Sequence, residues 1–123
     1  MDTSRKRALI GVVVGHAAHD TWFGVAPVLL AALSSSLGLS NADIGLVLLI
    51  YQSVSSLTQP FFGRLSDAKH AWMGGRTMAV VAILWTTALF GGVILAPSKI
   101  FLFLFIGLAG FGSGAFHPQG AAT

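Results

Sequence analysis

The chain has 123 residues, of which 54% are hydrophobic and only 9% charged, with a formal net charge of +3. Soluble domains carry about 25% charged residues, so a water-soluble globular enzyme is excluded, as is a disordered chain, which would be polar. There is no cysteine, hence no disulfide, thiolate metal site or thiol nucleophile, and the seven basic residues form no stripe that would bind nucleic acid. An all-α membrane protein, with the lipid bilayer as its solvent, is what remains.

A membrane-spanning helix needs roughly 20 mostly apolar residues. Four stretches qualify, at about 8–33, 44–62, 77–96 and 100–122. In lipid such segments must be helical, because nothing else satisfies the backbone. The first is interrupted only by His16, His19 and Asp20. Its start, Arg5-Lys6-Arg7 before an apolar run, also fits a signal peptide, but the run before His16 is short and no clean small-residue cleavage site follows. Ser34 to Leu39 ends this span with small residues and a candidate C-cap, Gly38. Ser40 with Asp43 three residues later then reads as a helix start.

The second span is uncharged and carries Tyr51, Gln52, Ser53, Ser55, Ser56, Thr58 and Gln59. Gln52, Ser55, Ser56 and Gln59 recur at helical spacing, a ribbon that either glues helices together or lines an aqueous path. A basic loop over 63–76 follows, with Arg64, Asp67, Lys69, His70 and Arg76, and with Trp72 at an expected membrane interface. Ala96-Pro97-Ser98 is a turn with Ser98 as a candidate N-cap. The fourth span contains Gly107, Gly110, Gly112 and Gly114, a glycine face expected to be covered by fifth and sixth helices, and ends in Phe116-His117-Pro118. Gly11 and Gly15 have the same small-residue spacing.

Arg5, Lys6, Arg7, Arg64, Lys69 and Arg76 fall at one end of the spans and only Lys99 at the other. That asymmetry predicts a cytoplasmic N-terminus. Ionisable groups inside a span are costly and therefore candidate functional groups. His16 and Asp20 are four residues apart on one helix face, with His19 beside them, and Asp20 is the only acid within a span. The trio suits proton uptake and release, or serves only to lock helix packing. At about 1.5 Å per residue His16 lies about 12 Å from the inner edge and His117 about 25 Å from the outer edge. In a core about 30 Å thick both fall in the cytoplasmic half, where they could share one cavity. His117 could also be an interfacial residue at a kinked helix end. A metal site is not expected, since one helix cannot close it and no second acid is available.

Gly63-Arg64-Leu65-Ser66-Asp67, with basic residues to Arg76, resembles the loop between helices two and three of the major facilitator superfamily. Three further stretches resemble fosmidomycin-resistance-type efflux transporters of that superfamily: Gly15 to Asp20, Tyr51 to Pro60, and Gly112 to Pro118. The resemblance implies a twelve-helix proton-coupled antiporter of the inner membrane that exports small molecules, built from three-helix inverted repeats. By that plan residues 1–123 are an incomplete N-terminal half, truncated, and their partners are a small-molecule substrate, protons and the missing C-terminal helices. His16, His19, Asp20, Gln52, Ser56, Gln59 and His117 would line the cavity or couple protons. Gly63, Arg64, Asp67 and Arg76 would form the cytoplasmic loop motif, with Asp67 latching the closed state. The sequence departs from the pattern twice. Its loop is longer, and the Arg that many drug antiporters carry early in helix four is Ile106 here. No cofactor and no enzymatic activity are expected. The alternatives are a complete four-helix exporter acting as an oligomer, or a membrane subunit that does not transport.

Overall fold

The computed structural model describes residues 2–67 and 73–121. It contains four helices: α1 (Thr3–Leu37), α2 (Asn41–Asp67), α3 (Gly75–Val93) and α4 (Lys99–Ala121). Each is long and apolar enough to cross a membrane. No strand occurs among the described residues.

The helix ends follow from local chemistry. Gly38 takes a left-handed conformation (φ 63, ψ 39), and its N–H and that of Leu39 both close onto the Ser34 carbonyl. A side chain is disfavoured in that conformation, so glycine stops α1 there. Ser40 and Asp43 then cap α2 reciprocally. The Ser40 N–H donates to Asp43 Oδ2 at 2.9 Å, and the Asp43 N–H donates to Ser40 Oγ at 3.1 Å. Three successive i to i+3 bonds at Ile94, Leu95 and Ala96 tighten the end of α3, and Ser98 accepts the first bond of α4 from Leu102. Asp43 also approaches Lys99 at 3.8 Å, so the α1–α2 and α3–α4 connections share one end of the bundle. The chain therefore runs up, down, up, down.

The helices outrun the apolar stretches from which they were expected. The loop assigned to 63–76 is shorter than that: α2 continues through Asp67 and α3 begins at Gly75. Gly63, Arg64 and Asp67 are thus helical residues, and Arg76 lies in the first turn of α3. Likewise α1 takes in Arg5, Lys6 and Arg7. Hydropathy marks where lipid begins, whereas hydrogen bonding lets a helix continue into water. In the other direction, α3 stops at Val93 instead of 96. Lys69, His70 and Trp72 lie outside the described residues.

Packing is uneven. α4 runs between α2 and α3 and is the most buried helix, while α1 touches the others more sparsely. Glycine makes the α4 contacts possible. A Cβ at Gly110 would stand 2.8 Å from the Tyr51 carbonyl oxygen, and one at Gly114 would stand 2.8 Å from that of Ser55. A Cβ at Gly112, on the opposite side, would stand 2.8 Å from the Ala82 carbonyl oxygen of α3. The face expected to need fifth and sixth helices is instead filled from α2 at Gly107, Gly110 and Gly114 and from α3 at Gly112. Gly11 and Gly15 differ: nothing lies within 4 Å of a Cβ at Gly11, and one at Gly15 would make an ordinary 3.4 Å contact with Phe116.

The larger apolar core joins Ala26 and Leu30 of α1 with Tyr51, Phe90, Leu102 and Ile106. A smaller one joins Met78, Ala82, Ala115 and Phe116 nearer the other end of α4. α1 is held by aromatic rings. Trp22 stacks on Phe90 at 5.5 Å and donates to Thr87 Oγ1 at 3.0 Å, while Phe23 stacks on Tyr51 at 6.0 Å.

Gly110→Ala and Gly114→Ala are expected to destabilise the bundle by about 1–3 kcal/mol through overpacking. Gly11→Ala is expected to be neutral or to stabilise by up to about 1 kcal/mol through helix propensity. Denaturant unfolding in detergent, followed by circular dichroism, checks both.

Candidate functional site

On α1 the buried positions are His19, Ala26 and Leu30, a stripe at helical spacing that faces the bundle. His19 is therefore a histidine on the packing face and is only 1% exposed. His16 lies one turn before it and is half-buried, while Asp20 is exposed beside it. From α4, Ser113, Phe116 and His117 meet this region.

The rings form a compact group. His19 stacks on Phe116 with centroids 4.8 Å apart, and His16 meets the same ring edge-on at 5.0 Å. His117 stands nearly perpendicular to both, at 5.2 Å from His19 and 6.1 Å from His16. The two helices thus bring together the histidines that depth alone placed at similar levels. One ring nitrogen each from His19 and His117 and one Asp20 oxygen lie within 4.8 Å of one another.

Ser113 organises the group. Its hydroxyl accepts from Ser55 Oγ of α2 at 2.8 Å and lies 3.0 Å from His19 Nε2. Its carbonyl lies 2.7 Å from His117 Nδ1. A carbonyl can only accept, so His117 carries its proton on Nδ1, and in the neutral ring Nε2 keeps the lone pair. The same logic applies to His16, whose Nδ1 lies 3.3 Å from the Val12 carbonyl. The next residue, Pro118, has no N–H to return to Gly114, which loosens the helix wall at this level.

His19 is satisfied on one side only. Its Nε2 meets Ser113, while Nδ1 is buried without a hydrogen-bond partner. Leaving such a group unmet costs about 1–3 kcal/mol.

The ribbon on α2 divides. The buried stripe runs Val47, Tyr51, Ser55, one position back from the expected face. Of the ribbon, only Ser55 joins the cluster; Gln52 and Ser56 are exposed and Gln59 is half-buried. Gly63 packs towards α4, where a Cβ would stand 3.6 Å from Pro118 Cβ, while Arg64, Asp67 and Arg76 are exposed. Ile106 is fully buried in the apolar core, so helix four carries no charge there. Sequence reasoning did not single out Ser113 as a site residue. The available signal was its place between two glycines, one helical turn before His117.

Residues 12–123 match the family model of the Major Facilitator Superfamily. The chain is 29% identical over 116 residues to the uncharacterized MFS-type transporter YfnC of Bacillus subtilis (strain 168). That alignment covers 92% of this chain and 27% of the relative, so the chain spans about a quarter of the relative's length. No solved structure matches. The family consists of multi-pass membrane transporters of small molecules, not enzymes. Four apolar helices with a polar cluster at their centre, together with a family match over nearly the whole chain, establish that this chain belongs to the Major Facilitator Superfamily.

Proposed function

We propose that the chain is the N-terminal part of a proton-coupled antiporter that exports small molecules, and that the cluster of His16, His19, Asp20 and His117 takes up and releases the coupling proton. The observation that carries this reading is the meeting of α1 and α4 at their ionisable groups. His19 and His117 stand 5.2 Å apart, with Asp20 beside them and one imidazole nitrogen unpartnered. A proton moving between these groups changes the electrostatics of both helices at once. Such a change can bias an alternating-access equilibrium.

Further support comes from the periphery. Arg5, Lys6, Arg7, Arg64 and Arg76 lie at the end of the bundle where α1 starts, α2 finishes and α3 starts. This favours a cytoplasmic N-terminus in the inner membrane. Exposed apolar side chains on α1, among them Leu9, Ile10, Val13, Val14 and Val28, suit lipid or further transporter helices. The relative's greater length fits a longer transporter of which these helices are one part. Export of drug-like solutes, as in fosmidomycin-resistance-type proteins, rests on the resemblance of Gly15–Asp20, Tyr51–Pro60 and Gly112–Pro118. Gln52, Ser56 and Gln59 are then the groups of α2 available to a substrate path. Gly63, Arg64, Asp67 and Arg76 are then the groups available to latch the two halves of such a transporter.

Asp20→Asn is expected to abolish proton-linked export by the full-length protein while leaving its expression intact. Export from vesicles with an imposed pH gradient checks this, and unchanged export removes Asp20 from the coupling role. Ser113→Ala frees His117 less than it frees His19, because it removes a hydroxyl and keeps the carbonyl. The expected result is expressed protein whose pH–rate profile shifts, a change that a purely structural serine would not produce. Asp67→Ala is expected to slow cycling more than it weakens substrate binding, since the residue is outside the cluster and exposed. Exchange rates compared with equilibrium binding separate the two effects.

A further inference from the structure

We propose that His19, Asp20 and His117 form a binding site for a divalent transition-metal cation of the zinc type. Two features support it. The three residues come from two helices, which removes the objection that one helix cannot enclose an ion. Their donor atoms, two imidazole nitrogens and a carboxylate oxygen, already lie within 4.8 Å of one another. Around a tetrahedral ion with bonds of about 2.0–2.2 Å the donors stand roughly 3.3–3.5 Å apart. The widest donor separation would have to close by about 1.3–1.5 Å to hold the ion.

The surroundings prepare the ligands. His117 donates Nδ1–H to the Ser113 carbonyl at 2.7 Å, which fixes the ring and presents the Nε2 lone pair. Metal-binding histidines are commonly held in this way by a carbonyl behind them. His19 is buried with Nδ1 unpartnered, so it offers a nitrogen that no protein group occupies. Asp20 supplies the negative charge and stays exposed, which leaves an approach for the ion and a fourth position for water. Nitrogen donors with a single carboxylate favour Zn2+, Co2+ or Ni2+ over Mg2+ and Ca2+, which require mainly oxygen.

The site does not rest on the coupling role, although ion and proton use the same lone pairs. A protein that binds zinc without moving protons, or moves protons without binding zinc, separates the two readings.

The test is calorimetric titration of ZnCl2 into the full-length protein, purified in detergent without a histidine tag. One Zn2+ per chain is expected, undisturbed by excess Mg2+ and by Asp43→Asn, which removes a distant acid. The affinity is expected to fall at least about 10- to 100-fold in His117→Ala and in Asp20→Asn. No uptake by the unsubstituted protein, or uptake indifferent to both substitutions, overturns the proposal. Co2+ added to the unsubstituted protein gives a reading that no folding defect can confound. The strong visible bands of four- or five-coordinate cobalt support the site, and the weak spectrum of the six-coordinate aqueous ion overturns it.

Discussion

The arrangement depends on how closely α4 approaches its two neighbours. Lipid offers no hydrophobic drive between helices, so close packing and interhelical hydrogen bonds must supply the association. Gly110 and Gly114 let the α2 carbonyls of Tyr51 and Ser55 come within side-chain distance, and Gly112 does the same for α3. With a larger residue at any of these positions the helices would move apart. Ser55 would then no longer reach Ser113 at 2.8 Å, and the support behind the histidines would be lost.

From that contact the polar chemistry follows in order. Ser113 is held from α2, and in turn it meets His19 of α1 and orients His117 of its own helix. The aromatic contacts of Trp22 and Phe23 fix α1 further along, so His19 is set against Phe116 without an extensive α1 interface. The result combines a tightly packed pair of interfaces around α4, which carries His117, with a more sparsely packed α1 that carries His16, His19 and Asp20.

Much of this was legible in the sequence. The four spans, the glycine stop at Gly38 and the Ser40–Asp43 cap follow from hydropathy and from local hydrogen bonding, which need no tertiary information. The pairing of His16 with His117 followed from depth, because helix rise is constant. What depth could not supply was rotation about the helix axis. It is rotation that brings His19 closest to His117 and turns Ser55, but not Gln52 or Ser56, into the bundle. The glycines announced a close contact, but fifth and sixth helices were expected where α2 and α3 are found, since spacing carries no information about which helix fills a groove. The extent of α2 through Asp67 was hidden because charged residues read as loop although they are compatible with a helix leaving the membrane.

Histidine nuclear magnetic resonance tests the central claim, that α1 and α4 assemble one cluster of ionisable groups, without knowledge of the substrate. In full-length protein labelled with 15N-histidine in lipid, neutral His117 is expected to carry its proton on Nδ1, and a through-space contact is expected between the His117 and His19 rings. His117→Gln is expected to change the His19 ring resonances, because the two rings stand 5.2 Å apart. Rings with no mutual contact, and His19 resonances indifferent to the replacement of His117, would contradict the account.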